Sequence, residues 1–271
     1  MIIIGERLNS SRASVREALV RRDKAFLLKE AKLQENAGAA YVDINAAVLL
    51  DKETETLRWA IRLLQRTLRT PLSLDTPDPR AMEEALRLHR GRALLNSLTG
   101  EDEKIRSLVP LIKQFRPRVI VLCLDDRGLP PTPGRALSIA RKMVEILCAQ
   151  GIASEDFFID PLVRPVAGDW RAGALFLKSL ERIKRALPGI KTVAGLSNVS
   201  LGLPQRRLLN RTLAVLAAKA GLDALICDPL DEELRAALAA SSALLSLDPF
   251  LRHYLRHVRQ KKGKARSSWR V

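Results

Sequence analysis

Residues 72–89 read Leu72-Ser73-Leu74-Asp75-Thr76-Pro77-Asp78-Pro79-Arg80-Ala81-Met82-Glu83-Glu84-Ala85-Leu86-Arg87-Leu88-His89. A short run, 72–74, is closed by a carboxylate, Asp75. Asp78 then caps a helix over residues 79–89, with Pro79 in the first turn, where a missing N–H costs nothing. The stretch is one strand, one polar residue at the strand's carboxyl end, and one helix.

The same unit recurs on both sides of it. Short apolar runs occur at 2–4, 41–44, 93–95, 119–124, 157–159, 191–194 and 224–227. Helical stretches occur at 24–37, 51–68, 102–114, 133–149, 170–186, 204–220 and 231–245, several stopped by a glycine such as Gly38, Gly151 or Gly221. Apolar strands alternating with helices imply an α/β fold whose parallel sheet is covered by helices. Eight units within residues 1–248 match a (β/α)8 TIM barrel, a fold of ~250 residues. A doubly wound open sheet is the alternative. It usually carries a glycine-rich phosphate loop after its first strand, and no such motif is present. The expected organisation is a barrel over 1–248 followed by a basic C-terminal tail over 249–271.

The charge is uneven. The formal net charge is +16. No acidic residue follows Asp248, whereas Arg252, Arg256, Arg259, Lys261, Lys262, Lys264, Arg266 and Arg270 are basic, so half the excess belongs to the tail. Such a balance draws attention to nucleic acid, anionic membranes and acidic partners. No apolar run approaches the ~18 residues of a membrane span, and the N-terminus lacks the pattern of a signal peptide. Three cysteines, Cys123, Cys148 and Cys227, form no paired motif and fit a reduced, cytoplasmic protein.

In a barrel the reactive face lies at the carboxyl ends of the strands. The residues there are Glu6 and Asn9, Asp43 and Asn45, Asp75, Asn96 and Ser97, Asp125 and Asp126, Asp160, Ser197 and Asn198, and Asp228. Asp and Asn favour turns and caps for local reasons, but all eight exits end this way. No histidine falls among them. His89 precedes the fourth strand and is expected on the opposite face. His253 and His257 are four apart in the tail, with no third ligand nearby, and are expected on a solvated basic helix. Neither a Ser-His-Asp nor a Cys-His arrangement can be assembled. Cys123 and Cys227 read as small buried hydrophobes. A ring of carboxylates and amides suits a flat, nitrogen-rich heterocycle. A buried carboxylate can accept from adjacent N–H and NH2 groups of a 2-amino-4-oxo pteridine, and Asn offers both donor and acceptor.

Gly5-Glu6-Arg7-Leu8-Asn9, Asp43-Ile44-Asn45, Leu74-Asp75-Thr76, Leu95-Asn96-Ser97, Ile159-Asp160-Pro161-Leu162, Gly195-Leu196-Ser197-Asn198-Val199-Ser200 and Asn210-Arg211-Thr212 occur in that order. In order and spacing the set resembles the pterin-binding methyltransferases that use methyltetrahydrofolate and a corrinoid protein. These include the acetogenic enzyme and the folate domain of cobalamin-dependent methionine synthase. The resemblance covers residues 1–245. It implies that Asp75, Asn96 and Asp160 hold the pterin, that Asn198 reaches N5, and that Gly195, Ser197 and Arg206 complete the substrate site. Glu6, Asn9, Asp43 and Asn45 are further candidates. Asn45-Ala46-Ala47, Leu201, Asp125 and Arg164 depart from the family pattern.

The implied reaction moves the N5-methyl group of methyltetrahydrofolate to the cobalt(I) of a cobalamin or other corrinoid carried by a partner protein. No metal is expected in this chain. A tertiary amine leaves poorly, so N5 must gain positive charge by protonation or a strengthening hydrogen bond. Asn198 cannot be the acid, but it can hold the proton there, with solvent supplying it through a polar network. The resemblance also implies a homodimer. Two alternatives remain. One is a dihydropteroate synthase-like enzyme, although its usual Ser-Arg-Lys and Arg-x-His stretches are replaced by Ser197-Asn198-Val199 and Cys227-Asp228-Pro229. The other is a non-catalytic barrel gripping nucleic acid through its tail, where Tyr254 and Trp269 are stacking residues.

Overall fold

The computed structural model describes residues 1–267, with 260–267 described by backbone alone. The chain begins with β1 (Ile2–Asn9), followed by α1 (Ala13–Val20) and α2 (Lys24–Asn36). Next come β2 (Tyr41–Asn45), α3 (Glu53–Leu64), β3 (Leu72–Asp75), α4 (Pro79–Leu88), β4 (Leu94–Thr99) and α5 (Asp102–Phe115). Then follow β5 (Arg118–Leu122), α6 (Pro133–Ala149), β6 (Phe157–Asp160), α7 (Ala172–Ala186), β7 (Lys191–Gly195), α8 (Arg206–Lys219), β8 (Ala224–Cys227) and α9 (Glu232–Leu244). All neighbouring strands pair in parallel, and β1 pairs with β8, so the sheet closes into an eight-stranded barrel in sequence order. The expected (β/α)8 barrel is the observed fold.

Side chains alternate along each strand, so residues two apart share a face. Outward residues such as Val42, Ile44, Leu74, Leu95, Val119, Val121 and Ile159 are buried against the helices. Inward, Ile4, Tyr41, Leu94, Ile120, Phe158, Val193 and Ala224 form a separate buried cluster inside the barrel. Phe158 is fully buried there. This apolar plug closes the lower half of the barrel. Two residues further along the strands, the inward positions become Glu6, Asp43, Asn96, Asp160 and Gly195, with Leu122 and Ile226 as the apolar exceptions, and Asp75 follows Ser73 in the same way. The fold thus stacks a polar layer on an apolar one.

Several boundaries differ from the sequence reading. Helix α1 was not expected. Its buried residues Val15, Ala18 and Leu19 have helical spacing, but no side chain caps its start, so the usual signal is missing. The helix expected over 51–68 splits into a 3-10 turn, Ala47–Lys52, and α3, because Leu50 takes a positive φ. Trp170 was expected inside a helix. It lies before α7 and is 85% exposed. Residues 204–205 also lie outside α8, with Gln205 left-handed at its start.

The beginning of the tail is ordered onto the barrel. After a 3-10 turn at Pro249–Leu251, α10 (Arg252–Ser267) packs against α9. Asp248 accepts from the backbone N–H groups of His253 and Tyr254 at 3.0 and 2.9 Å, anchoring its first turn. Trp269 and Arg270 lie outside the described residues. No helix among the described residues is long and apolar enough to cross a membrane.

Candidate functional site

Above the plug lies a cavity of about 850 Å³ at the carboxyl ends of the strands. Glu6, Asn9, Asp43, Asp75, Asn96, Asp160, Gly195, Ser197, Asn198 and Arg206 all line it. Asn45 does not. It stands behind the wall, where its amide donates to the Asp75 carbonyl at 3.3 Å and accepts from Ser10 Oγ at 2.9 Å. Asn45 therefore fixes the strand that carries Asp75. Two other strand-end carboxylates also have local duties. Asp125 pairs with Arg135, and Asp126 accepts from the Asp102 amide at 3.2 Å at the start of α5.

Two strand irregularities shape the floor. In β1 the register against β2 shifts between Gly5 and Leu8, and in β4 the register against β5 shifts between Asn96 and Leu98. Each bulge adds one residue and re-aims the side chains beside it. The first sits at Glu6 and Arg7, the second at Ser97. The β1 bulge is held by Gln34, whose buried Oε1 accepts from the Arg7 amide at 3.1 Å. A Cβ on Gly5 would come within 2.3 Å of that oxygen, so glycine is needed for the close approach. Arg7 then reaches Glu30 and Asp228, with 2.8 Å to Asp228, which ties β1 to the exit of β8.

The wall over β7 is a braced turn. Leu196–Ser200 is a 3-10 segment that carries Ser197 and Asn198. Ser197 Oγ donates to Glu6 Oε2 at 2.9 Å. Arg206 donates through Nη2 to the Ser197 carbonyl at 2.9 Å and through Nε to Ser200 Oγ at 3.1 Å. Arg206 thus clamps the turn beside which it lines the cavity. A Cβ on Gly195 would stand 3.0 Å from Asn198 Nδ2, so the absence of that carbon leaves the amide its place.

The floor is acidic and buried. Asp43 Oδ1 accepts from Ser73 Oγ at 2.6 Å and from Asn96 Nδ2 at 3.1 Å. One N–H of the Asn96 amide is therefore engaged, leaving its second N–H and its oxygen without a side-chain partner among the described residues. Burial raises both Asp43 and Asp75 above the ordinary carboxylate range, and the Asp43 charge raises Asp75 further. Burial pushes Asp160 up to about 7, although the Leu162 and Gly195 amides hydrogen-bond to it. Burial likewise raises Glu6 to about 7, opposed by Ser197 and assisted by Asp228 and Asp43. No cation offsets the burial of Asp43, Asp75 or Asp160. A buried carboxylate without a cation is stabilised by hydrogen-bond donors, and a ligand that brings N–H groups supplies them. The apolar plug below and the acceptors around it fit the edge of a planar heterocycle.

Among the described residues no group of His, Cys, Asp and Glu is arranged to hold a metal ion. His89 sits at the opposite face, as expected, where its Nε2 accepts from the Leu72 amide at 3.1 Å. Cys123 and Cys227 are buried, and burial pushes both thiols far above their usual range.

The pterin-binding enzyme family matches residues 5–228, which span β1 to the exit of β8. The chain belongs to that family. Over 264 residues, 97% of either chain, this pterin-binding barrel is 33% identical to a methylcorrinoid:tetrahydrofolate methyltransferase of Eubacterium limosum. It is 25% identical over 239 residues to a methionine synthase of Mycobacterium tuberculosis, a match that spans 83% of this chain and 20% of that much longer one. Among solved structures, a dihydropteroate synthase of Clostridium difficile superposes with a TM-score of 0.71 at 20% identity, covering 90% of this chain and 96% of the other. The Yersinia pestis dihydropteroate synthase gives 0.63 at 18% identity, covering 90% and 93%. At those identities the likeness is one of fold.

Some residues of the pterin-binding barrel's mouth were not singled out in the sequence reading. Ser11, Arg12, Leu162 and Arg207 all line it. They lie in loops and first helical turns, beyond the strand ends, and no local pattern marks them. Gln34 was missed for a different reason: it sits on the buried side of α2, where the helical pattern calls for an apolar residue.

Proposed function

We propose that this chain binds tetrahydrofolate by its pterin ring in the barrel mouth and transfers a methyl group between N5 of that ring and the cobalt of a corrinoid carried by another protein. The full-length likeness to the Eubacterium limosum enzyme carries this reading, and the buried acceptors at the strand ends agree with it. The reading includes a homodimer, implied by the family resemblance and testable by sedimentation, and a cytoplasmic location, suggested by the sparse, unpaired cysteines.

Asp160 accepts from the paired N–H and NH2 donors of the pteridine edge, and Asp75 and Asn96 meet its remaining polar atoms. Asp43 orients the Asn96 amide and accepts Ser73 as well. Asn198, held in its braced turn, faces N5. In the direction expected from the sequence, the N5–CH3 bond breaks with its electron pair staying on nitrogen, and cobalt(I) supplies the pair for the new bond to carbon. N5 must gain a proton or a strengthening hydrogen bond as that bond breaks, so that it leaves as a neutral amine, and Asn198 holds that proton without supplying it. The Eubacterium limosum enzyme is named for the opposite direction. Microscopic reversibility makes one site serve both.

The direct test is methyl exchange between methyltetrahydrofolate and free cob(I)alamin, followed by the cobalamin spectrum. Transfer with saturable folate dependence is the expected result. Absence of both transfer and folate binding overturns the reading.

A further inference from the structure

The barrel's lower face, away from the mouth, carries a second cavity of about 440 Å³, lined by Arg69, Arg90, Arg92 and Arg118 together with His89 and Thr70. An adjoining cavity of about 810 Å³ shares Gly91 and Arg92 and adds Lys113 and Arg116. We propose that this lower groove is a binding site for a small anion bearing adjacent phosphates, such as a triphosphate or a nucleoside triphosphate.

The first argument is charge without partners. On several helix faces arginines are matched one to one: Arg21 with Glu17, Arg58 with Glu84, Arg87 with Glu83, Arg211 with Asp231. Among the described residues, Arg92 alone of the groove's arginines has a carboxylate, Asp156 at 2.6 Å, and its Nε is spent on the Arg116 carbonyl. Arg118 donates to the Tyr41 hydroxyl at 3.3 Å, and its buried Nε has no partner. Guanidinium groups gathered without carboxylates repel one another, and an anion relieves that repulsion while taking bidentate hydrogen bonds.

The second argument is that the loops presenting these arginines are fixed. Glu35 Oε1 accepts from the amides of Arg69 and Thr70 at 2.7 and 2.9 Å and from Thr70 Oγ1 at 3.1 Å. Those bonds, with Lys32, hold Glu35 down to about 2, so it stays ionised and committed to the loop. Gln65 accepts from the Arg90 amide and donates to the Leu88 carbonyl at 3.1 Å, fixing the second loop. His89 accepts from Leu72 and stays below its usual titration range through burial. The positive charge is thus set on a prepared scaffold, which lowers the ordering cost of binding. A cavity of this size falls within the ~300–1,000 Å³ of small-molecule sites. A folate tail leaving the mouth starts from the other end of the barrel, so the groove is not an extension of the pterin site.

The test is calorimetric titration of the full chain with inorganic triphosphate and, separately, with ATP at low and physiological salt. Saturable 1:1 binding is expected, weakened at least tenfold in Arg69→Gln/Arg90→Gln. Both residues are exposed, and a melting curve confirms that the variant is folded. Folate affinity and transfer to free cobalamin are expected to stay unchanged in it. Equal affinity for the two anions assigns the site to phosphate alone, and tighter ATP binding assigns it to a nucleotide. Absence of saturable binding, binding unchanged in the double variant, or competition between triphosphate and folate overturns the proposal.

Discussion

The two ends of the barrel treat charge in opposite ways. At the mouth, Glu6, Asp43, Asp75 and Asp160 are buried carboxyl groups, and the last three lack a cation. At the lower face, Arg69, Arg90, Arg92, Arg116 and Arg118 stand around open cavities with one carboxylate between them. The mouth buries carboxyl groups that no cation offsets, and the lower face gathers cations around a single carboxylate. The difference teaches that net charge is a poor guide to this chain's ligand. The excess of +16 lies in the tail, on the outer surface and at the lower end, while the site built for a ring is acidic.

Each end can be challenged separately, and the largest effect is expected at Asn198. Asn198→Ala should lower single-turnover methyl transfer by about 100-fold, the usual worth of one preorganised polar group at a reacting atom. Folate affinity should fall by less than about tenfold, the scale of one ordinary hydrogen bond. An unchanged rate removes Asn198 from the reaction. Asp160→Asn should weaken methyltetrahydrofolate binding by about 10- to 100-fold, since hydrogen bonds to a charged group are worth about 1.5–3 kcal/mol. Unaltered affinity in equilibrium titration takes Asp160 out of the pterin site.

Gly5→Ala tests how the acidic floor is shaped. The new Cβ meets Gln34 Oε1 at 2.3 Å, so either the buried Gln34 amide that holds the bulge or the bulge itself must move. Overpacking of this kind costs about 1–3 kcal/mol, read as a lower Tm. A melting temperature equal to the parent's would mean that the bulge tolerates the carbon.

The acidity of the mouth also predicts a pH dependence. Burial raises Glu6 and Asp160 from ordinary carboxylate values to about 7 in the folded chain. Their stabilising contribution is therefore complete below the unfolded values and disappears as pH rises through 7. Pterin donors favour the ionised Asp160, so binding releases a proton. Folate affinity should rise by up to about tenfold per unit as pH climbs toward 7, then level off. Titrations in buffers of different ionisation enthalpy would detect the released proton, and a flat profile between pH 5.5 and 8 would contradict the assignment.

The smallest effect is expected at the lower face. Strand β2 has five residues. A strand of that length spans ~17 Å. That exceeds the ~8 Å screening length of physiological salt. Arg90→Glu should therefore leave folate affinity within about twofold, and a larger change would show that the two ends are coupled.

Most of the architecture was legible because it rests on local chemistry. Asp78 caps α4 through the Arg80 amide, with Pro79 behind it, as the residues alone implied. Asp75 and Asp160 could be placed at strand ends because the alternation of strand and helix put them there, whereas Asn96, read as an end, lies inside β4, which runs on past its bulge to Thr99. Helix α1 escaped notice because it lacks a capping side chain. Asn45 looked like a ligand, yet it supports the chain behind Asp75, because a strand's alternation gives direction but not what stands in the way.

The order of elements, the closed parallel barrel and the ring of acids and amides at one rim were thus determined by sequence, since caps, apolar periods and strand-end residues act over a few positions. Only the tertiary structure decided the rest. It turned two strand bulges inward at Glu6 and Ser97, set Gln34 under Gly5, and clamped the Asn198 turn with Arg206. It also gathered arginines from three separate connections at the lower face. Those outcomes depend on groups far apart in the chain meeting in a closed barrel, where burial removes water and leaves each polar atom to the partners that the fold brings to it.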